Sequence, residues 1–200
     1  MSSITFTADP LRDHSQHAGT GRDLGDVREI FLRYHYFELP TTLTVGTTAF
    51  LEDTPTPMLD FTPELLYTVE RLEKGLNAAI SFTEHTDVIE LLTEGETLNL
   101  GFRPDQRASC RIEEFTEEAL RFSRLALSYT FEHHPSLRHN TYVQGIARQL
   151  QERELAGPHR STSWSVGVRR ICCTGGAGVM RTGGWSGLFD FRHEEAETTL

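Results

Sequence analysis

Hydrophobic and polar positions along the chain fall into three segments of helical period and several of strand period. From 115 to 132 (FTEEALRFSRLALSYTFE), at about 100° per residue, Glu117, Arg121, Arg124, Ser128 and Glu132 share one narrow arc. Ala119, Leu120, Phe122, Leu125, Ala126, Leu127, Tyr129 and Phe131 cover most of the remainder. The spacing predicts a largely buried central helix with one wet strip. Thr116 is its expected cap, Glu117 and Glu118 its first-turn carboxylates, and Phe115 with Leu120 its hydrophobic staple. A second helix is expected at 62, with Thr62 as cap, Pro63 in the first position, Phe61 and Leu66 as staple, and Leu65, Val69, Leu72 and Leu76 as the apolar stripe. The two starts, FTPELL and FTEEAL, read as shared capping chemistry and not as a duplication, because their flanking segments differ. A third helix over 141–155 places Val143, Ile146, Ala147 and Leu150 on one side.

Strand signals fill the rest. Aromatic and branched residues over 27–39 predict a strand, Pro40-Thr41-Thr42 a turn, and 43–52 a returning strand. Pro55 and Pro57 predict irregular chain over 53–60. Four further strands are expected at 78–84, 88–93, 97–102 and 108–113. Gly95-Glu96 closes a tight turn, and Leu98, Leu100 and Phe102 share a face with Cys110 and Ile112. Consecutive strands joined by short turns imply an α+β domain: a mainly antiparallel sheet of five to six strands with two to three helices on one face. The domain is expected over 27–155, preceded by a flexible arm (1–26) that lacks sustained period. After it comes a glycine-rich, loosely ordered tail (156–200) containing eight glycines.

Composition narrows the function classes. The 200 residues are 38% hydrophobic and 24% charged, and no apolar run approaches the roughly 20 residues of a membrane span. No basic stretch leads into an apolar one at the N-terminus. Three cysteines, Cys110, Cys172 and Cys173, have no scaffold spacing, which fits free thiols in a reducing cytoplasm. Net charge is −10, and 27–155 alone holds 21 Asp and Glu against 12 Lys and Arg. Such a surface repels a phosphate backbone and suits a basic protein partner.

Candidate chemistry is sparse. His133, His134 and His139 lie close in sequence, but Pro135 interrupts the helix between them and no cysteine or acid stands at a matching spacing, so no metal is expected. Adjacent Cys172 and Cys173 lack the C-x-x-C arrangement, and Gly175-Gly176-Ala177-Gly178 lacks both the dinucleotide and the Gly-Lys-Ser/Thr patterns. There is no G-x-S-x-G, and Cys110 is expected in a strand facing the core. No cofactor and no catalytic residue are assigned. The densest carboxylates are Glu113, Glu114, Glu117 and Glu118 at the helix start, with Glu94 and Glu96 at the hairpin turn; together they form the candidate surface for a basic partner. The alternatives are a small enzyme using Glu118 with His35 or His85, and a structural or assembly subunit of a phage or compartment.

The run from 27 to 155, with a hairpin, a stapled helix, a meander and a long helix ending in HHPSLRHN, resembles small bacterial α+β domains of the kind known as immunity proteins of toxin systems. The resemblance implies a binding protein that blocks its toxin by shape and charge, without chemistry of its own.

Overall fold

The computed structural model of the protein describes residues 3–9, 23–82 and 85–156. The chain divides into Met1–His159 and Arg160–Leu200. The expectations for the tail beyond 156, including Cys172, Cys173 and the glycine run at 175–178, lie outside the described residues. Within the first unit the order is β1 (Ile4–Ala8), α1 (Glu29–His35), β2 (Glu38–Val45), β3 (Thr48–Pro57), α2 (Met58–Glu73), β4 (Ala78–Phe82), β5 (His85–Glu94), β6 (Thr97–Arg103), β7 (Gln106–Arg111), α3 (Ile112–His133), a 3₁₀ turn (Pro135–His139) and α4 (Thr141–Ala156).

The fold is α+β, with all described strand pairs antiparallel, but the strands form two sheets where one of five to six strands was expected. One has the order β1-β2-β3 and the other β4-β5-β6-β7, and the described residues form four α-helices. The four-stranded sheet follows the predicted meander closely. Gly95, at φ +60, supplies the left-handed residue of the β5–β6 turn, and Glu94 pairs with Thr97 across it. Leu98, Leu100 and Cys110 are buried together. Strands β3 and β7 lie against each other where the two sheets meet, and the Gln106 side-chain amide donates to the Ala49 carbonyl at 2.9 Å.

The first half differs from the expected pattern. Residues 29–35 form a helix, not a strand: Leu32 and Tyr36, four apart, are buried, while Arg33 reaches Glu29 one turn back and Asp60 of α2. Tertiary pairing here overrides the β preference of the aromatics. The hairpin turn then moves from Pro40-Thr41-Thr42 to Gly46-Thr47, because Gly46 accommodates φ +62. Pro40 remains inside β2 since it faces Pro55 of β3, a pair that needs no exchanged N–H, and β3 accordingly continues to Pro57. Nor is the segment 1–26 a free arm throughout. Ile4–Ala8 pairs along β2 as β1, Phe6 is fully buried, and Leu24 is buried with its N–H donated to Ser136 Oγ at 3.1 Å.

Helices α2 and α3 each begin four residues before the threonine expected to cap them, running straight out of β3 and β7. Neither Thr62 Oγ1 nor Thr116 Oγ1, both buried, has a hydrogen-bond partner among the described residues. The start of α3 is closed instead at Arg111, whose N–H is taken by Glu114 at 3.4 Å. Along α3 the buried residues are Phe115, Ala119, Phe122, Ser123, Ala126, Leu127 and Thr130. Ser123 and Thr130 tolerate burial by donating to the carbonyls four residues back, at 2.8 and 2.9 Å. Leu125, expected inside, is 49% exposed. As predicted, α3 is central: it packs on α2, α4, β1, β6 and β7. Phe115, Phe6, Phe122, Phe61 and Phe82 form a chain of ring contacts at 5.6 to 6.0 Å that links β1, α3, α2 and β4 through one core.

Candidate partner-binding surface

The acidic surface is built where the β5–β6 turn meets the start of α3. Ile112, the first residue of the helix, donates its N–H to the Glu96 carbonyl at 3.0 Å, and Thr97 pairs with Arg111. That contact brings the Glu94-Gly95-Glu96 turn and the Glu113-Glu114 turn to one end of the domain. Glu94 and Glu96 are exposed, and Glu117 lies exposed one helical turn further on. No ion pair among the described residues involves these three. Among the described residues Glu94 accepts from a side-chain amide, Asn99 Nδ2 at 3.3 Å.

The six carboxylates expected to act together divide by their chemistry. Glu113 is partly compensated by Arg111 at 2.8 Å, and Glu114 is occupied by the helix cap. Glu118 stands apart from the surface. It accepts the Phe6 N–H at 2.8 Å and both Arg121 Nε and Nη2 at 2.6 Å, while Arg121 Nη2 donates onward to the Phe6 carbonyl at 2.7 Å. The pair thus satisfies both backbone groups of Phe6 on the outer edge of β1, as a neighbouring strand would. Glu118 also holds the Arg121 guanidinium above its usual range. A carboxylate so engaged is a structural clamp, which removes Glu118 from both the acidic surface and the enzyme reading. His35 lies in the exposed last turn of α1 with its ring on Phe31, and the side chain of His85 is outside what is described.

The histidine cluster disperses into separate local roles. His133 Nδ1 lies 2.9 Å from the Tyr129 carbonyl, His134 packs edge-on against Phe37, and His139 is exposed. No group of three or more His, Cys, Asp or Glu among the described residues is arranged to hold a metal ion. Burial, reinforced by Glu114, pushes the Cys110 thiol up to about 11, so it stays protonated and unreactive at neutral pH.

Two positioning residues escaped the sequence reading. Arg121 looked like a member of the wet strip, and nothing local tells that its partner lies 115 residues away. Asn140 is buried: its amide donates to the Gly25 and Val27 carbonyls, both at 2.9 Å, and its oxygen receives Tyr142 N–H and Val143 N–H at the start of α4. An asparagine just before a helical period is a legible cap. Its second role, fastening 24–27, is not. Among the described residues no helix is long and apolar enough to cross a membrane. No family model matches the chain, and no curated protein or solved structure matches it either.

Proposed function

We propose that this protein is a non-enzymatic binding module whose acidic end receives a basic protein partner, in the manner of an immunity-type inhibitor. The supporting observation is the Ile112 to Glu96 hydrogen bond, which fixes two carboxylate-bearing turns side by side and leaves Glu94, Glu96 and Glu117 solvated. Solvated carboxylates on a rigid end make a poor acid–base site, because nothing desolvates them, and a good steering surface for an opposite charge. Steering acts over a Debye length of about 8 Å at physiological ionic strength, so it weakens with added salt.

The test is made on the partner captured from cell extract and identified by mass spectrometry. Its association rate is expected to fall as salt rises, and to drop about tenfold at low salt when Glu94, Glu96, Glu113 and Glu117 are all changed to Gln. Glu114 and Glu118 are kept, since one closes the helix and the other holds β1. A captured partner that is acidic, or a rate indifferent to salt and to the four substitutions, removes the proposal.

A further inference from the structure

Helices α2 and α3 pack against one face of the four-stranded sheet, where Ile80, Ile89, Leu91, Leu98 and Leu100 are buried. Alternation along the strands turns the intervening residues to the opposite face. Ala79, Val88, Glu90, Leu92, Arg107 and Ser109 lie there and all are exposed, Val88 at 40% and Leu92 at 49%. This face carries an ordered charge pattern. In one row of the register Glu90 of β5, Gly101 of β6 and Arg107 of β7 lie side by side, and two outward rows on, Glu94, Thr97 and Arg111 repeat the order. Each of these rows is acidic on β5 and basic on β7. Arg111 is engaged by Glu113 at 2.8 Å, but among the described residues Glu90 and Arg107 have no ion pair and no side-chain hydrogen bond. Gly101 between them has open space where a Cβ would stand, so the row is hollow at its middle. In the row between, Leu92 lies beside Asn99, whose Oδ1 accepts Ser109 Oγ at 2.7 Å.

The pattern is complementary to itself. A two-fold axis parallel to the strands and over β6 exchanges the β5 and β7 positions while keeping each row, so Glu90 of each copy meets Arg107 of the other. A two-fold axis across the strands instead lays β5 on β5, setting Glu90 against Glu94 and Arg107 against Arg111, so charge selects the first arrangement. We propose that this face binds a second copy of the chain, sheet on sheet, with Glu90 and Arg107 paired reciprocally and both Leu92 side chains enclosed between the sheets. Facing sheets stand about 10 Å apart with strands within about 30° of each other. A glutamate and an arginine together bridge that gap, and the hollow at Gly101 gives the two pairs room. Four strands at about 4.8 Å spacing, each about six residues long, make a face of about 19 by 20 Å. That is at the small end of specific interfaces, so the dimer is expected to be weak, with a dissociation constant on the order of 10 μM.

The deciding row lies outside the acidic end, and the proposal does not rest on the partner read there. The test is sedimentation equilibrium of the full-length protein from about 1 to about 500 μM, a range that brackets such a constant. Wild type is expected to pass from monomer to dimer across it. Glu90→Arg and Arg107→Glu, both exposed changes, should each weaken association at least about tenfold, since each sets like charges together at both pairs. An equimolar mixture of the two single variants should associate again, as a heterodimer in which both pairs are opposite in sign. The chain carrying both substitutions should dimerise for the same reason. A merely misfolded variant would not be rescued by another. A protein that is monomeric at every concentration, whether that face is bare or covered by something else, overturns the proposal. So does a dimer indifferent to the single substitutions, or a mixture no more associated than its components.

Discussion

In α2 and α3 the segments FTPELL and FTEEAL occupy the same helical positions. Each helix emerges directly from a strand, each puts its phenylalanine fourth (Phe61, Phe115), its threonine fifth (Thr62, Thr116) and a glutamate seventh (Glu64, Glu118). Each then serves the sheet it did not come from. Phe115 packs edge-on against Phe6 of β1 at 5.8 Å, and Phe61 stacks on Phe82 of β4 at 5.7 Å. Glu118 takes the Phe6 N–H, and Glu64 takes the N–H and Oγ of Ser81 at 3.3 and 3.1 Å. The edges of β1 and β4, which would otherwise offer unpaired backbone groups to another chain, are each stopped by a helix carboxylate at the same position. The likeness of the two starts is thus one of structural role, an alternative to the capping chemistry the sequence suggested.

What differs is the setting. Glu118 has a side chain only 16% exposed and a bidentate arginine that also covers the Phe6 carbonyl, whereas the Glu64 bonds lie in an exposed environment. The same device should therefore be worth more on β1 than on β4. Replacing Glu118 by Ala leaves a backbone N–H and part of an arginine without their acceptor, an expected loss of about 2 kcal/mol. Glu64→Ala exposes its partners to water and should cost about 0.5 kcal/mol or less. Urea unfolding of both variants measures the gap, and amide exchange locates it: Phe6 should lose protection in the first far more than Ser81 does in the second. Equal losses would mean that burial does not distinguish the two clamps.

Proline makes the second difference. Pro63 stands where α3 has Glu117, at the sixth position, so the Leu59 carbonyl has no amide donor one turn on. The Tyr142 hydroxyl of α4 fills that place at 2.6 Å, and burial pushes its phenol well above the usual range, so it remains protonated as a donor. Tyr142→Phe should destabilise by about 1 kcal/mol. The sharper version is a double-mutant cycle: Pro63→Ala restores an N–H for Leu59, so the loss at Tyr142 should shrink by at least half in that background. An unchanged loss would assign the effect to packing of the ring.

Legibility in the sequence followed the range of the forces. The β5–β6–β7 meander was readable because alternation and a glycine turn are local, and so were the buried stripe of α4 and that of α2 up to Leu72, because 3.6-residue period is local too; Leu76, expected to extend the α2 stripe, lies beyond the helix and is 46% exposed. Strand-to-helix junctions were not readable. Threonine followed by Pro-Glu or Glu-Glu is a strong local cap signal, yet β3 and β7 carry straight into their helices, since phenylalanines at the fourth position must reach the shared core. Likewise β1 looked polar and aperiodic because its one fully buried side chain, Phe6, and its clamp from Glu118 and Arg121 depend on residues more than a hundred positions away. Of the candidate surface, the structure shows only that the Glu94-Gly95-Glu96 turn lies against the start of α3; Glu114 is taken by the helix cap and Glu118 by a strand edge, neither of which the local pattern displays.

The smallest effect separates the two readings of the helix starts by its sign. If Thr62 and Thr116 were caps, removing either hydroxyl would cost about 1 kcal/mol. In the structure both hydroxyls are buried without a partner among the described residues. Valine keeps the branched shape and removes a polar group that burial penalises, so Thr62→Val, at a fully buried position, should stabilise by about 0.5 kcal/mol. Thr116→Val, at a half-buried one, should do so by less. Thermal and urea unfolding of the two single variants measures this. Destabilisation of both would restore the threonines as caps, and with them helix starts at 62 and 116, which would dissolve the shared seventh position from which Glu64 and Glu118 reach their strands.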